Sequence, residues 1–173
     1  ALTPLLSGCS GGGTAGKGVV NVYNWGVYID ESIFQDFEEQ TGIKVNYDTY
    51  ESNEAMYGVL KNDGASYDVI IPSDYMISRM IQEDMLEKLD FGNIPNFADI
   101  EPALLAPDYD PTGEYSVPYM WGTVGIIYNT KVVTGEVNSW SLLFDERYAG
   151  QILLFNNSRD AIGIALKYLG YSY

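Results

Sequence analysis

The sequence predicts an α/β fold built on a parallel sheet, and three observations carry that prediction. Runs of β-branched and aromatic residues at 19–23, 43–50 and 67–72 each give way, within a few residues, to apolar positions at helical spacing. Polar, Gly or Asn residues punctuate each change from one pattern to the next. Strands that alternate with helices in this way form a parallel sheet with right-handed crossovers.

The chain is organised around Val19-Val-Asn-Val-Tyr-Asn-Trp-Gly-Val-Tyr-Ile-Asp30. Val19, Val20, Val22 and Tyr23 suit a buried pleated strand, which stops at Asn24-Trp25-Gly26. A helix begins near Asp30, a good N-cap, with Ile33, Phe34 and Phe37 on one face and Gly42 as its C-cap. Residues 43–50 alternate apolar and polar, which predicts a second strand. Ser52 or Asn53 caps the next helix, with Met56, Val59 and Leu60 lining one face. Tyr67-Asp-Val-Ile-Ile-Pro72 reads as a strand covered on both faces and leads into a helix with Met76, Ile77, Met80 and Ile81 inward.

Residues 91–118 hold five of the seven prolines, so they read as loop with one short helix near 100–105. Asp108-Tyr-Asp110-Pro-Thr-Gly113 imitates the start of a calcium loop, but Tyr119 stands where the closing acid belongs, so it is a turn. Residues 119–129 read as a long strand in which Gly122 and Gly125 mark a bend or a close backbone approach. Ser139–Phe144 is a short capped helix, 151–155 a buried strand, and a helix follows through Ile162, Ala165, Leu166 and Leu169. The second half carries too little core to stand alone.

Of 173 residues, 24 are acidic and 9 basic, a formal net charge of −15. Such a field repels nucleic acid and anionic membranes and concentrates cations. Histidine is absent, which removes Ser-His and Cys-His nucleophiles and the commonest transition-metal ligand. No metal and no cofactor are expected. The 15 Tyr and 3 Trp against 6 Phe favour flat rings that also carry a polar handle. Those rings serve ordinary cores as well as binding surfaces.

The one cysteine, Cys9, follows Leu6-Ser-Gly and precedes a Gly/Ser-rich stretch. It has no disulfide partner. This resembles the bacterial lipoprotein box, in which the cysteine is lipidated. The chain then starts inside the apolar part of a signal peptide, and residues 1–18 are signal remnant and flexible tether. A lipid anchor of this kind holds a domain at a membrane surface without spanning it.

Chemistry belongs at the carboxyl ends of the strands, where ligands bind in open α/β sheets. Three such ends carry candidates: Trp25 and Tyr28, Ser73 and Tyr75, Asn157 and Asp160. An ammonium over a Trp or Tyr face gains roughly 0.5 to 2 kcal/mol. A charge-assisted hydrogen bond to a carboxylate adds roughly 1.5 to 3 kcal/mol. The mixture suits an organic cation.

Tyr23-Asn-Trp-Gly-Val-Tyr28, Thr41-Gly-Ile-Lys-Val45, Tyr50-Glu-Ser-Asn-Glu54 with Met56-Tyr57, Tyr67-Asp-Val-Ile-Ile-Pro-Ser73, Tyr115-Ser-Val-Pro-Tyr-Met-Trp-Gly122 and Leu169-Gly-Tyr-Ser172 occur in that order. In these motifs the chain resembles the extracytoplasmic spermidine/putrescine-binding proteins of bacterial polyamine ABC importers, over nearly all of 19–173. The resemblance implies a periplasmic-binding-protein-like (type II), two-lobed Venus-flytrap fold that closes on a linear polyamine and delivers it to a membrane permease. By that likeness Trp25, Tyr28 and Tyr75 are aromatic walls, Ser73 is a polar contact and Asp160 pairs with an amine. Asn157 stands where relatives carry an acid; an amide accepts from an ammonium but brings no charge, which bears on preference among polyamines. The family also continues past residue 173, so the chain reads as an N-terminal fragment: lobe 1 at 19–122 and a truncated lobe 2 from 123–173. A monomer, lipid-anchored outside the cytoplasmic membrane, is the expected state.

Two other readings stand beside it. One is a solute-binding lipoprotein for a different amine or an iron complex. The other is a hydrolase using paired acids, Asp68 with Asp74 or Asp108 with Asp110, though nothing in their spacing sets the separation glycosidase carboxylates need.

Overall fold

Strand β1 (Gly18–Trp25) lies at the centre of a three-stranded parallel sheet, between β2 (Ile43–Tyr50) and β3 (Val69–Ile70). The computed structural model describes residues 17–62 and 66–172, so the Cys9 motif lies outside the described residues. The β1–β2 register runs from Gly18 opposite Ile43 to Trp25 opposite Tyr50. β3 pairs through Val22 with Val69 and Tyr23 with Ile70, and backbone bonds from Asp68 N–H to Asn21 O and Ile71 N–H to Tyr23 O extend that ladder. Tyr23 and Tyr50 are both buried and meet edge-on at 4.9 Å.

Helix α1 (Ile33–Thr41) starts after an Asx turn in which Asp30 Oδ1 accepts from the Ser32 N–H at 3.0 Å, so Asp30 acts two residues ahead of the Ser32 cap position. It ends at Gly42, left-handed at φ 74°, whose N–H donates to Glu38 O at 2.7 Å. That conformation favours glycine. The expected inward face is only partly realised: Phe34 packs on Tyr47 at 4.8 Å, while Ile33 and Phe37 are exposed. Helix α2 (Asn53–Lys61) is capped by Ser52, whose Oγ accepts from the Ala55 N–H at 3.1 Å. Met56 is fully buried and Leu60 half-buried, but Val59 is exposed. Helix α3 (Asp74–Gln82) buries Met76 and Met80, with Ile77 and Ile81 half-buried beside them. Each fully buried methionine contributes roughly 1.5 to 3 kcal/mol by leaving water.

The chain divides into two compact units, Ala1–Met76 and Ile77–Tyr173, each described by itself. In the second, the proline-rich segment forms three short 3-10 turns, Phe91–Asn93, Pro95–Asp99 and Pro102–Leu104, in place of one short helix. Trp140–Phe144 is a 3-10 turn whose cap Ser139 accepts from the Ser141 N–H at 3.2 Å. Helix α4 (Ser158–Tyr168) stacks Tyr168 on Phe144 at 4.3 Å.

Three expectations fail in this unit. Residues 119–129 and 151–155 form no strand, and Trp121 and Leu153 are 76% and 95% exposed. The residue types suit a strand, but a strand also needs a neighbour for its N–H and C=O groups, and none of the described residues pairs with these segments. Gly122 and Gly125 mark no close approach, since a Cβ at either meets open space. The helix expected through Ile162, Ala165 and Leu166 does form as α4; its buried positions are Gly163 and Ile164, while Ile162 and Leu169 are exposed.

Candidate functional site

Two of the three predicted strand ends meet in the first unit, and a residue the sequence reading left out joins them. Trp25 ends β1, half-buried, with its ring 5.8 Å from Tyr28 and 4.7 Å from Tyr50. Tyr50 ends β2 directly opposite Trp25. Its hydroxyl donates to the Ile71 carbonyl just past β3. Burial, and then the neighbouring phenols Tyr28, Tyr23, Tyr47 and Tyr75, push that hydroxyl far above the usual tyrosine range. It therefore stays a neutral donor at any physiological pH. Tyr47 anchors the loop from the other side, donating from its hydroxyl to Trp25 O at 3.2 Å.

The same unit holds a polar network centred on Asn53, which is buried. Its Oδ1 accepts from the Ser73 N–H at 3.2 Å, and its Nδ2 donates to the Tyr75 hydroxyl at 3.0 Å. That hydroxyl donates to Glu54 Oε1 at 3.0 Å. Buried Asn24 holds the start of the Trp25 loop, its Oδ1 accepting from the Trp25 N–H at 2.7 Å. A cluster of tilted rings, with a carboxylate bonded to the Tyr75 hydroxyl in the same unit, is chemistry for a cation that also presents methylenes.

The third predicted pair belongs to the second unit. Asn157 is the N-cap of α4, its Oδ1 accepting from the Arg159 N–H at 3.1 Å and the Asp160 N–H at 3.5 Å. Asp160 sits in the first turn of that helix, half-buried. Because 151–155 is not a strand, these residues follow a loop and not a third strand end.

Of the four acids in the hydrolase reading, Asp68 and Asp110 are engaged in structural hydrogen bonds. Asp68 Oδ2 accepts from the Asn21 N–H at 2.7 Å and from its Nδ2 at 3.1 Å, fastening β3 to β1. Asp110 is buried and accepts from the N–H groups of Tyr115 and Ser116 and from the Ser116 hydroxyl, at 3.0, 2.9 and 2.9 Å. Burial opposes its ionisation, but the bonds from Tyr115, Ser116 and Glu114 outweigh it and hold the carboxyl below its usual range. Among the described residues no group of three His, Cys, Asp or Glu is placed to hold a metal ion.

The family model for bacterial extracellular solute-binding proteins matches residues 32–173. The chain belongs to that family. It is 42% identical over 153 residues to the spermidine/putrescine-binding periplasmic protein of Escherichia coli (strain K12), covering 87% of this chain and 44% of that protein. The crystal structure of PotD, a spermidine/putrescine ABC transporter substrate-binding protein of Streptococcus pneumoniae, superposes with a TM-score of 0.73 at 44% identity, over 89% of this chain and 48% of that one. The TpPotD lipoprotein of Treponema pallidum gives 0.82 at 37% identity, over 89% and 49%. The α/β fold with a parallel sheet is thus that of PotD-type periplasmic binding proteins, and the chain spans about half the length of these relatives.

Of the six ligand-contact residues expected from sequence, Trp25, Tyr28, Ser73 and Tyr75 gather round Tyr50 and Asn53 in this unit, while Asn157 and Asp160 lie in the second. The sequence reading did not single out Tyr50, Asn53 or Glu54, although all three lie in the quoted Tyr50–Glu54 motif. The alternation of β2 ending on Tyr50, opposite Trp25, was the available signal for the first. Nothing local signals the Asn53 bridge, whose partners are 20 and 22 residues away.

Proposed function

We propose that this chain belongs to the solute-binding component of an ABC importer, which captures spermidine or putrescine outside the cytoplasmic membrane and delivers it to the permease. The observation that carries this reading is the ring cluster of Trp25, Tyr28 and Tyr50 in the same unit as the Tyr75–Glu54 pair. It offers ring faces to an alkyl chain and an acceptor to an ammonium. The names of the E. coli and S. pneumoniae relatives, both spermidine/putrescine proteins, support the same ligand class.

In this reading Trp25, Tyr28 and Tyr75 are the aromatic walls, Ser73 is a polar contact and Asp160 supplies a carboxylate for an amine. Asn157 contributes no charge, and its Oδ1 is already engaged in capping α4. Lobe 1 comprises 19–122 and lobe 2 begins at 123. Cys9 carries a lipid anchor, consistent with the T. pallidum relative, which is named a lipoprotein. The protein acts as a monomer and catalyses no reaction.

Intrinsic tryptophan fluorescence of the full-length protein, titrated with spermidine and putrescine, tests the reading. A saturable change at micromolar amine is expected. A folded protein that responds to neither amine refutes the ligand class.

A further inference from the structure

We propose that Asn53 and Glu54 are positioning residues that fix the polarity of the Tyr75 hydroxyl, and so bias the site toward ligands that donate hydrogen bonds. The inference rests on the polyamine reading above and deepens it. The reasoning begins at a group with no choice. A backbone N–H only donates, so the Ser73 N–H must meet the oxygen of the Asn53 amide, as it does at 3.2 Å. That fixes the amide's orientation. Its Nδ2 faces the Tyr75 hydroxyl at 3.0 Å, and an amide nitrogen also only donates, so the hydroxyl oxygen accepts there.

A phenol has a single proton to give. With its oxygen accepting from Asn53, that proton goes to Glu54 Oε1 at 3.0 Å, and an ionised carboxylate only accepts. Each step dictates the next, from the end of the β3–α3 loop to the first turn of α2. Any further hydrogen bond at Tyr75 Oη must therefore be an accepted one. Donation to a carboxylate also loads charge onto the phenol oxygen and strengthens it as an acceptor. An ammonium gains from this, whereas a carboxylate or carbonyl ligand finds no proton offered. Asn53 is buried, with both ends of its amide engaged, so the first link is rigid. Glu54 is exposed and sets the polarity of the last.

The test is a double-mutant cycle in the full-length protein, with putrescine and spermidine affinity measured by calorimetry. Tyr75→Phe is expected to weaken binding about tenfold and Glu54→Gln about fivefold, since hydrogen bonds to charged groups are the stronger ones. Because Glu54 acts through the Tyr75 hydroxyl, Glu54→Gln added to Tyr75→Phe should cost less than about twofold more. The same factor in both backgrounds overturns the proposal, as it means that Glu54 reaches the ligand by itself. No effect of either single change also overturns it. Melting temperatures taken in parallel separate these results from misfolding. If the wild-type protein binds neither amine, the functional reading fails, and the relay is judged in the ligand-free state. The ¹³Cζ resonance of Tyr75 should then shift in Glu54→Gln, and an unmoved resonance overturns the proposal.

Discussion

Replacing Trp25 with alanine removes the ring that spans Tyr28 at 5.8 Å and Tyr50 at 4.7 Å. Two consequences can be worked out separately. Within the fold, each lost ring pair contributes about 0.5 to 1.5 kcal/mol, so the sum is about 1 to 3 kcal/mol of stability. Domains are stable by about 5 to 15 kcal/mol, so the variant should still fold. At the site, a bound amine loses a cation–π contact of about 0.5 to 2 kcal/mol and the shielding of one or two methylenes at about 0.8 kcal/mol each. Together these come to about 1.3 to 3.6 kcal/mol, so affinity for putrescine and spermidine should fall about tenfold or more. Trp25→Phe keeps a ring face against Tyr50 and should lose less. Calorimetry on the full-length protein reads the affinity, and circular dichroism confirms the fold. Unchanged affinity in a folded Trp25→Ala variant would refute the placement of the ligand against this ring.

Asp160→Asn should also weaken polyamine binding at least about tenfold through the loss of a charge-assisted contact, with little change in melting temperature; equal affinities by calorimetry would remove Asp160 from the site. Asp110→Asn takes the charge from a buried acceptor of several N–H and O–H groups, and denaturant unfolding should show a loss of about 2 kcal/mol at pH 7. The sign with pH follows from its lowered carboxyl pKa: the contribution is complete above the unfolded value of about 3.9 and fades as pH falls through the folded value below it. The stability difference between wild type and Asp110→Asn should therefore be constant near neutrality and shrink in acid; a difference that grows in acid would contradict this account. Gly42→Ala forces a side chain into the left-handed C-cap of α1, where the new Cβ would also lie 3.4 Å from Lys17 Cγ, and should cost about 1 to 2 kcal/mol. A melting temperature equal to wild type would show that the cap relaxes freely.

Periodicity and punctuation by themselves determined the βα order of the first unit, the span of β2 and the Gly42 stop, and narrowed the α2 cap to Ser52 or Asn53, of which the structure uses Ser52. These are decided by neighbours a few residues apart, which is why a sequence displays them. The motif around Trp25 and Tyr28 also fixed where to look for a ligand. Only tertiary structure decided the rest. Tyr50 joins Trp25 because the parallel register sets it opposite, and Asn53 joins Ser73 and Tyr75 because these arrive from 20 and 22 residues away, at the end of a loop and the start of α3. Residues 119–129 and 151–155 have the composition of strands, yet they lack a partner among the described residues, and composition supplies no partner. Asp110 looked like a failed calcium ligand until the backbone of residues 114–116 folded over it and its oxygens filled with N–H and O–H donors. Side-chain type says what a residue is able to bind; the fold decides which of its options are already taken.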